Sequence, residues 1–81
     1  MSGNQNIPAQ ELVIHGPAQL GHAIRRFREE CGLDQVELAD LADVHRTYVS
    51  KVENAMPADT LRRVMRMIHA LNLELVIRKR G

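Results

Sequence analysis

The sequence predicts an all-α fold, a single small domain of four helices closed by a short C-terminal β-strand. Three observations predict it. Apolar residues recur at helical spacing through most of residues 17–71. Aromatic residues make up 2% of the chain against 44% apolar, so the core has to be built from Leu, Val, Ile, Ala and Met. In "LNLELVIRKR" the helical period gives way to alternation, with Leu73, Leu75 and Ile77 set against Glu74, Val76 and Arg78. A chain of 81 residues buries a modest core, and oligomerisation commonly supplements one.

The elements follow in order. Residues 1–10, "MSGNQNIPAQ", are polar and read as a flexible lead to a domain spanning 11–81. "ELVIH", 11–15, reads as a strand ended by Gly16-Pro17, and Pro17 suits a first helical turn. The first helix is expected from Pro17 to Cys31, with Leu20, Ile24, Phe27 and Cys31 on its apolar stripe and Arg25, Arg26, Arg28, Glu29 and Glu30 off it. Gly32 supplies a left-handed stop. Asp34, three residues before Glu37, forms a capping box for a second helix ending near Ala42. Val36, Ala39 and Leu38 are its inward residues, and Asp43 tolerates the left-handed turn that follows. A third helix covers about 46–53, with His45 near its cap. "AMPAD", 55–59, is a loop, with Asp59 or its neighbour capping a fourth helix over about 60–71. Leu61, Val64, Met65, Ile68 and Leu71 form the buried stripe of that helix, and Arg62, Arg63, Arg66 and His69 lie outside it.

Several function classes fall away. The lone Cys31 excludes an intrachain disulfide and a Cys-based zinc site, and it reads as a small buried apolar residue. His15, His22, His45 and His69 have no ligand spacing, so neither a metal nor another cofactor is expected. There is no nucleophile–base pair and no glycine-rich phosphate loop. Asp40 and Asp43 lie on a solvated turn, so an enzyme is not expected. No apolar run approaches the roughly 18 residues of a membrane span, and no signal pattern opens the chain, which reads as a soluble cytoplasmic protein. Net charge is only +1, yet all eleven Lys and Arg lie between Arg25 and Arg80.

The third helix carries the functional signal. In "DVHRTYVSKVEN", Val49 and Val52 mark one narrow buried side, while Arg46, Thr47, Ser50, Lys51 and Asn54 share the opposite face. That face has two cations, three hydrogen-bonding side chains and no carboxylate to meet repulsion from phosphate. Two short helices joined by a tight turn, the second with such a face, make a helix-turn-helix. A helix fits the major groove, where Arg and Lys donate to guanine, Asn pairs with adenine and Thr meets a thymine methyl group.

"CGLDQVELADLADVHRTYVSKVEN" resembles the helix-turn-helix of the XRE/Cro family of phage and bacterial repressors, over about residues 20–72. The resemblance implies a compact lambda-repressor-like domain. It places Arg46, Thr47 and Lys51 at base-contacting positions, with Ser50 in support. Gln35 then holds a phosphate and braces the third helix, and Glu53 and Asn54 match that helix's end. Asp43 and Ala55 stand where the family usually has Gly, and His45 where it usually has a Ser or Thr cap. Tyr48, at the border of the face, either packs or bonds a phosphate, and Asn54 is counted with Gln35 and Tyr48 on the phosphate side. Arg62, Arg63 and Arg66 read as a solvated face.

An isolated strand cannot satisfy its backbone groups. The strand at 73–78 needs "ELVIH" as a partner, or its own copy in a second subunit, paired about a two-fold axis. Four helices followed by such a strand resemble the HipB-type antitoxins of type II toxin–antitoxin modules. The resemblance implies an intersubunit sheet, with Leu73, Leu75 and Ile77 at the dimer contact. It also implies a palindromic operator in double-stranded DNA and a HipA-like serine/threonine kinase toxin as partner. The outer side of the first helix (Arg25, Arg28, Glu29) and the exposed side of the fourth (Arg62, Arg66, His69) are the surfaces expected to meet that toxin. The chain closes at Gly81, just after the strand, so no longer toxin-binding tail is expected. The alternatives are a stand-alone phage-type repressor, a restriction-modification controller, or a protein-interaction module that does not read DNA.

Overall fold

The structure, a computed structural model, describes residues 11–54 and 59–80. Its elements are β1 (Glu11–Ile14), α1 (Pro17–Glu30), α2 (Gln35–Ala42), α3 (Arg46–Glu53), α4 (Asp59–Ala70) and β2 (Leu75–Arg78). The four helices and the strand at each end match the sequence expectation, with boundaries shifted by a residue or two. The expectations for residues 1–10 and for the loop before Asp59 fall wholly or largely outside the described residues.

Local chemistry explains where the helices stop. Gly32, Asp43 and Asn72 all adopt left-handed φ, at 74°, 57° and 61°. Each is followed by the same pair of reversed backbone bonds. After α1, Gly32 N–H reaches Glu29 O and Leu33 N–H reaches Arg28 O. After α2, Asp43 N–H reaches Asp40 O and Val44 N–H reaches Ala39 O. After α4, Asn72 N–H reaches His69 O and Leu73 N–H reaches Ile68 O. These are Schellman motifs, which satisfy carbonyls that a helix end leaves open. The Asp34–Glu37 capping box forms at the start of α2, with Glu37 N–H donating to Asp34 Oδ1 at 2.7 Å and Asp34 N–H to Glu37 Oε1 at 2.8 Å. His45 is the N-cap of α3, but its side chain makes no capping bond.

The partner of the C-terminal strand is the first strand of the same chain. β1 and β2 pair antiparallel, with Glu11 opposite Arg78, Leu12 opposite Ile77, Val13 opposite Val76 and Ile14 opposite Leu75. Alternation turns Leu12, Ile14, Leu75 and Ile77 inward, onto a core centred on Ile14, Ala23 and Met65 with Leu20, Leu61 and Ile68 around it. Of the two partners the sequence left open, the structure supplies the first for Leu75 and Ile77, and the strand begins at Leu75, which leaves Leu73 exposed in the preceding turn. Lys79 ties the end of β2 to α1 through Glu30, at 3.0 Å, and lies 5.9 Å above the Phe27 ring centroid.

Other burial expectations also change. Val36, Val64, Leu71 and Cys31 were expected inside, and all four are exposed. On α1 the fully buried residues are the small ones, Gly21 and Ala23. At Gly21 the helix crosses α3 so closely that a Cβ would collide with the Val52 carbonyl oxygen and stand 3.2 Å from that of Glu53. The larger residues of the expected stripe, Leu20, Ile24 and Phe27, flank this contact half-buried.

Candidate nucleic-acid interface

The α2–turn–α3 unit is held by a short apolar seam and a buried ionic one. Ala39 and Val49 are buried where the two helices meet. Asp43 makes the turn in a left-handed conformation, so α3 restarts at Arg46 after only three residues. Val49 faces inward, leaving Arg46, Thr47, Lys51 and Asn54 exposed and Ser50 half-buried. The structure therefore brings the sequence-predicted base-reading residues onto one open face.

Behind that face lies a hydrogen-bonded chain. Arg28 on α1 grips Glu53 with two bonds, Nε to Oε2 at 2.7 Å and Nη2 to Oε1 at 3.1 Å, and spends a third on the Leu33 carbonyl at 2.8 Å. Gln35, at the first position of α2, donates Nε2 to Glu53 Oε1 at 3.0 Å. Its Oε1 accepts from Arg46 Nη1 at 3.4 Å. One carboxylate thus fastens α1 and α2 to the end of α3, and the chain surfaces at a predicted base-contacting side chain.

Glu53 is only 4% exposed. The Arg28 guanidinium beside it holds its carboxyl below the usual carboxylate range, with help from the Gln35 amide and against the opposing effect of burial. The only carboxylate of α3 is therefore charged yet turned away from the surface. What α3 offers to solvent is cationic and hydroxyl-bearing, as a phosphate-rich partner requires.

A family of helix-turn-helix domains matches residues 19–79. The chain belongs to the helix-turn-helix domain family. No curated protein and no solved structure matches it. Family membership makes the α2–turn–α3 unit the helix-turn-helix of a DNA-binding regulatory domain.

Within this helix-turn-helix domain the remaining predicted residues divide. The side chain of Gln35 is engaged in bracing, linking Glu53 to Arg46. Asn54 turns back on its own helix, donating Nδ2 to the Ser50 carbonyl at 2.8 Å and so closing the last turn. Tyr48 is exposed between two shallow grooves, one shared with Thr47 and Lys51 and the other with Leu20 and Val64. Arg28, placed by periodicity on the outer side of α1, is instead the inner anchor of Glu53, so it is not part of any outer surface. Among the described residues no group of His, Cys, Asp and Glu is arranged to hold a metal ion, and no helix is long and apolar enough to cross a membrane.

The sequence reading missed Arg28 and Glu53 as a pair. They lie 25 residues apart on different helices, and no local period links them. The available signal was a carboxylate at the end of an otherwise carboxylate-free helix, a position that needs a cation from elsewhere if it is to be buried.

Proposed function

We propose that this helix-turn-helix protein is a sequence-specific transcriptional repressor of the XRE type, acting in the cytoplasm on a palindromic operator. Arg46, Thr47 and Lys51 read base edges with Ser50 in support, while Gln35, Tyr48 and Asn54 lie toward the phosphates. The observation that carries this reading is the connection of Arg46 through Gln35 to the buried Glu53–Arg28 pair. A base-reading side chain needs a fixed origin, and a fixed recognition helix is what such a buried anchor supplies. The test is selection of bound duplexes from a random DNA pool, followed by gel shift at physiological salt. A palindromic consensus is expected, and unselective binding rejects the reading.

The finer assignment is a HipB-type antitoxin that represses its own promoter and sequesters a HipA-like serine/threonine kinase toxin. It is supported by the four helices followed by a terminal strand. The free faces for such a partner are the Arg25 and Glu29 side of α1 and the Arg62, Arg66 and His69 side of α4, all exposed and of mixed charge. Co-expression with the adjacent open reading frame should yield a co-purifying kinase that is toxic when expressed alone. If that kinase bridges two operator-bound copies, adding it raises operator affinity, and DNA tightens kinase binding by the same factor. A harmless neighbour that does not co-purify removes the antitoxin assignment and leaves the repressor.

A further inference from the structure

His45 holds the N-cap position of α3 without acting as a cap, because its imidazole makes no bond to the helix it opens. The residue is also exposed, so packing does not claim it. It borders instead an open hollow of about 560 Å³, lined further by Val44, Thr47, Tyr48 and Lys51. Thr47 and Lys51 belong to the proposed base-reading face, so His45 stands on the surface that docked DNA covers. Among the lining residues, histidine alone is of a type that ordinarily changes charge between about pH 5 and 8.

We propose that His45 binds a backbone phosphate at the edge of the groove and takes up a proton as it does so, which makes DNA binding tighten as pH falls. The position follows from the docking of α3. Arg46 and Thr47 open the helix, and the N-terminal residues of such a helix are the ones that meet base edges. The residue one step earlier is carried off the bases toward the backbone that walls the groove, where phosphate oxygens accept from side-chain donors. A neutral imidazole donates one N–H there, and an imidazolium donates with a full charge and makes the stronger bond. The charged and titratable groups around it are few. Lys51 and Tyr48 share the hollow, Arg46 is next in the chain, Asp43 lies two residues back, and no element beyond α3 and its turn contributes to the lining. Phosphate neutralises the two cations and favours the charged imidazole, so the complex keeps the proton to a higher pH than the free chain does. By linkage, the state that holds more protons gains as protons become abundant. The anchor behind the face stays charged over this range, since Glu53 titrates below the ordinary glutamate value of 4.5. The inference rests on the DNA-binding reading above, but phosphate is common to every sequence, so it does not need the operator.

The experiment is fluorescence anisotropy of the full chain on two duplexes of equal length, the one best retained in the selection above and a random sequence. Binding is measured from about pH 8 to about pH 6, across the ordinary histidine range, at several salt concentrations. On both duplexes affinity should rise at least about threefold over that range, and the slope of log affinity against log salt should steepen by up to about 0.9 for each His45 bound. H45N removes the titrating group while supplying a favoured cap, so it keeps the fold. It should flatten both changes, whereas R46A should retain them. A parent affinity that does not move with pH, a salt slope equal at both ends of the range, or an H45N chain as pH-dependent as the parent would each overturn the proposal. A chain that shows these changes on both duplexes but prefers neither supports this contact and rejects the operator-reading function. One that prefers the selected duplex at a pH-independent affinity does the reverse, and one that binds neither duplex rejects both.

Discussion

Arg28 and Glu53 form a two-point ion pair across the α1–α3 crossing, with bonds of 2.7 and 3.1 Å, and the carboxylate is almost fully removed from solvent. Such a pair is costly to assemble and more costly to break, because removing one partner strands the other charge. Here it also sets the geometry of the helix-turn-helix unit, since Gln35 hangs from the same carboxylate.

E53Q should therefore lose about 3–5 kcal/mol, the cost of an uncompensated buried charge. That is a large share of the roughly 5–15 kcal/mol that holds a small domain together. Urea unfolding of the variant beside the parent measures it. A loss below 1 kcal/mol would mean that the Arg28 head escapes to solvent and that the pair is not an anchor.

The same pair predicts an acid limit. The Glu53 carboxyl titrates lower in the folded chain than the ordinary glutamate value of about 4.5, chiefly because of the Arg28 hydrogen bond. Its stabilising contribution is complete above that ordinary value and is lost as pH falls below it, through the depressed folded value. Glu30, lowered by Lys79 and then Arg26, adds in the same direction from the surface. Thermal midpoints should hold from neutral pH to about 5, fall below about 4.5, and fall less steeply in E53Q.

R46A should reduce operator affinity by about 1–3 kcal/mol and relax selectivity at one base pair per half-site. Q35A acts differently, because Gln35 touches both Glu53 and Arg46. It should weaken binding across all sequences and also blur the position read by Arg46. Competition gel shifts with single-base operator variants separate the two patterns.

Two glycines should respond in opposite senses. G21A drives a methyl group into the Val52 carbonyl, and backbone cannot yield as a side chain tip can, so a loss of about 1–3 kcal/mol is expected. Gly16, the N-cap of α1, has extended backbone, no side-chain cap and open space at its Cβ. G16S should raise stability by a few tenths of a kcal/mol, roughly the Ser-over-Gly preference at an N-cap.

At the α2–α3 turn, D43G and D43A should order as Gly above Ala by about 1 kcal/mol, because φ is 57° there. Equal stabilities would show that the turn relaxes to another conformation.

What was legible in the sequence was local. The Asp34–Glu37 box, the Gly32 and Asp43 stops and the alternation in 75–78 each involve residues within a few positions of one another, and their chemistry is decided at that range. The open face of α3 was legible for the same reason. Burial was not, because it depends on which helix faces which. Val64 and Leu71 fit the α4 stripe by period, but Met65 with its neighbours fills the space that α1 and the sheet leave. Arg28 looked like a surface cation until α3 brought Glu53 to it. Cys31 completes a spacing on α1 but falls at the helix end, past the last packed turn.

The β1–β2 ladder joins the first and last elements of the described fold, with Glu11 opposite Arg78. The α2–α3 and α1–α3 seams join segments nearer in sequence, so they can consolidate while the ladder waits for nearly the whole chain to close on itself. Kinetically the ladder is a latch added late. Weakening it, as in I77A, should leave the refolding rate nearly unchanged and instead speed unfolding, which gives α3 a lifetime governed by a pair of strands outside the helix-turn-helix unit.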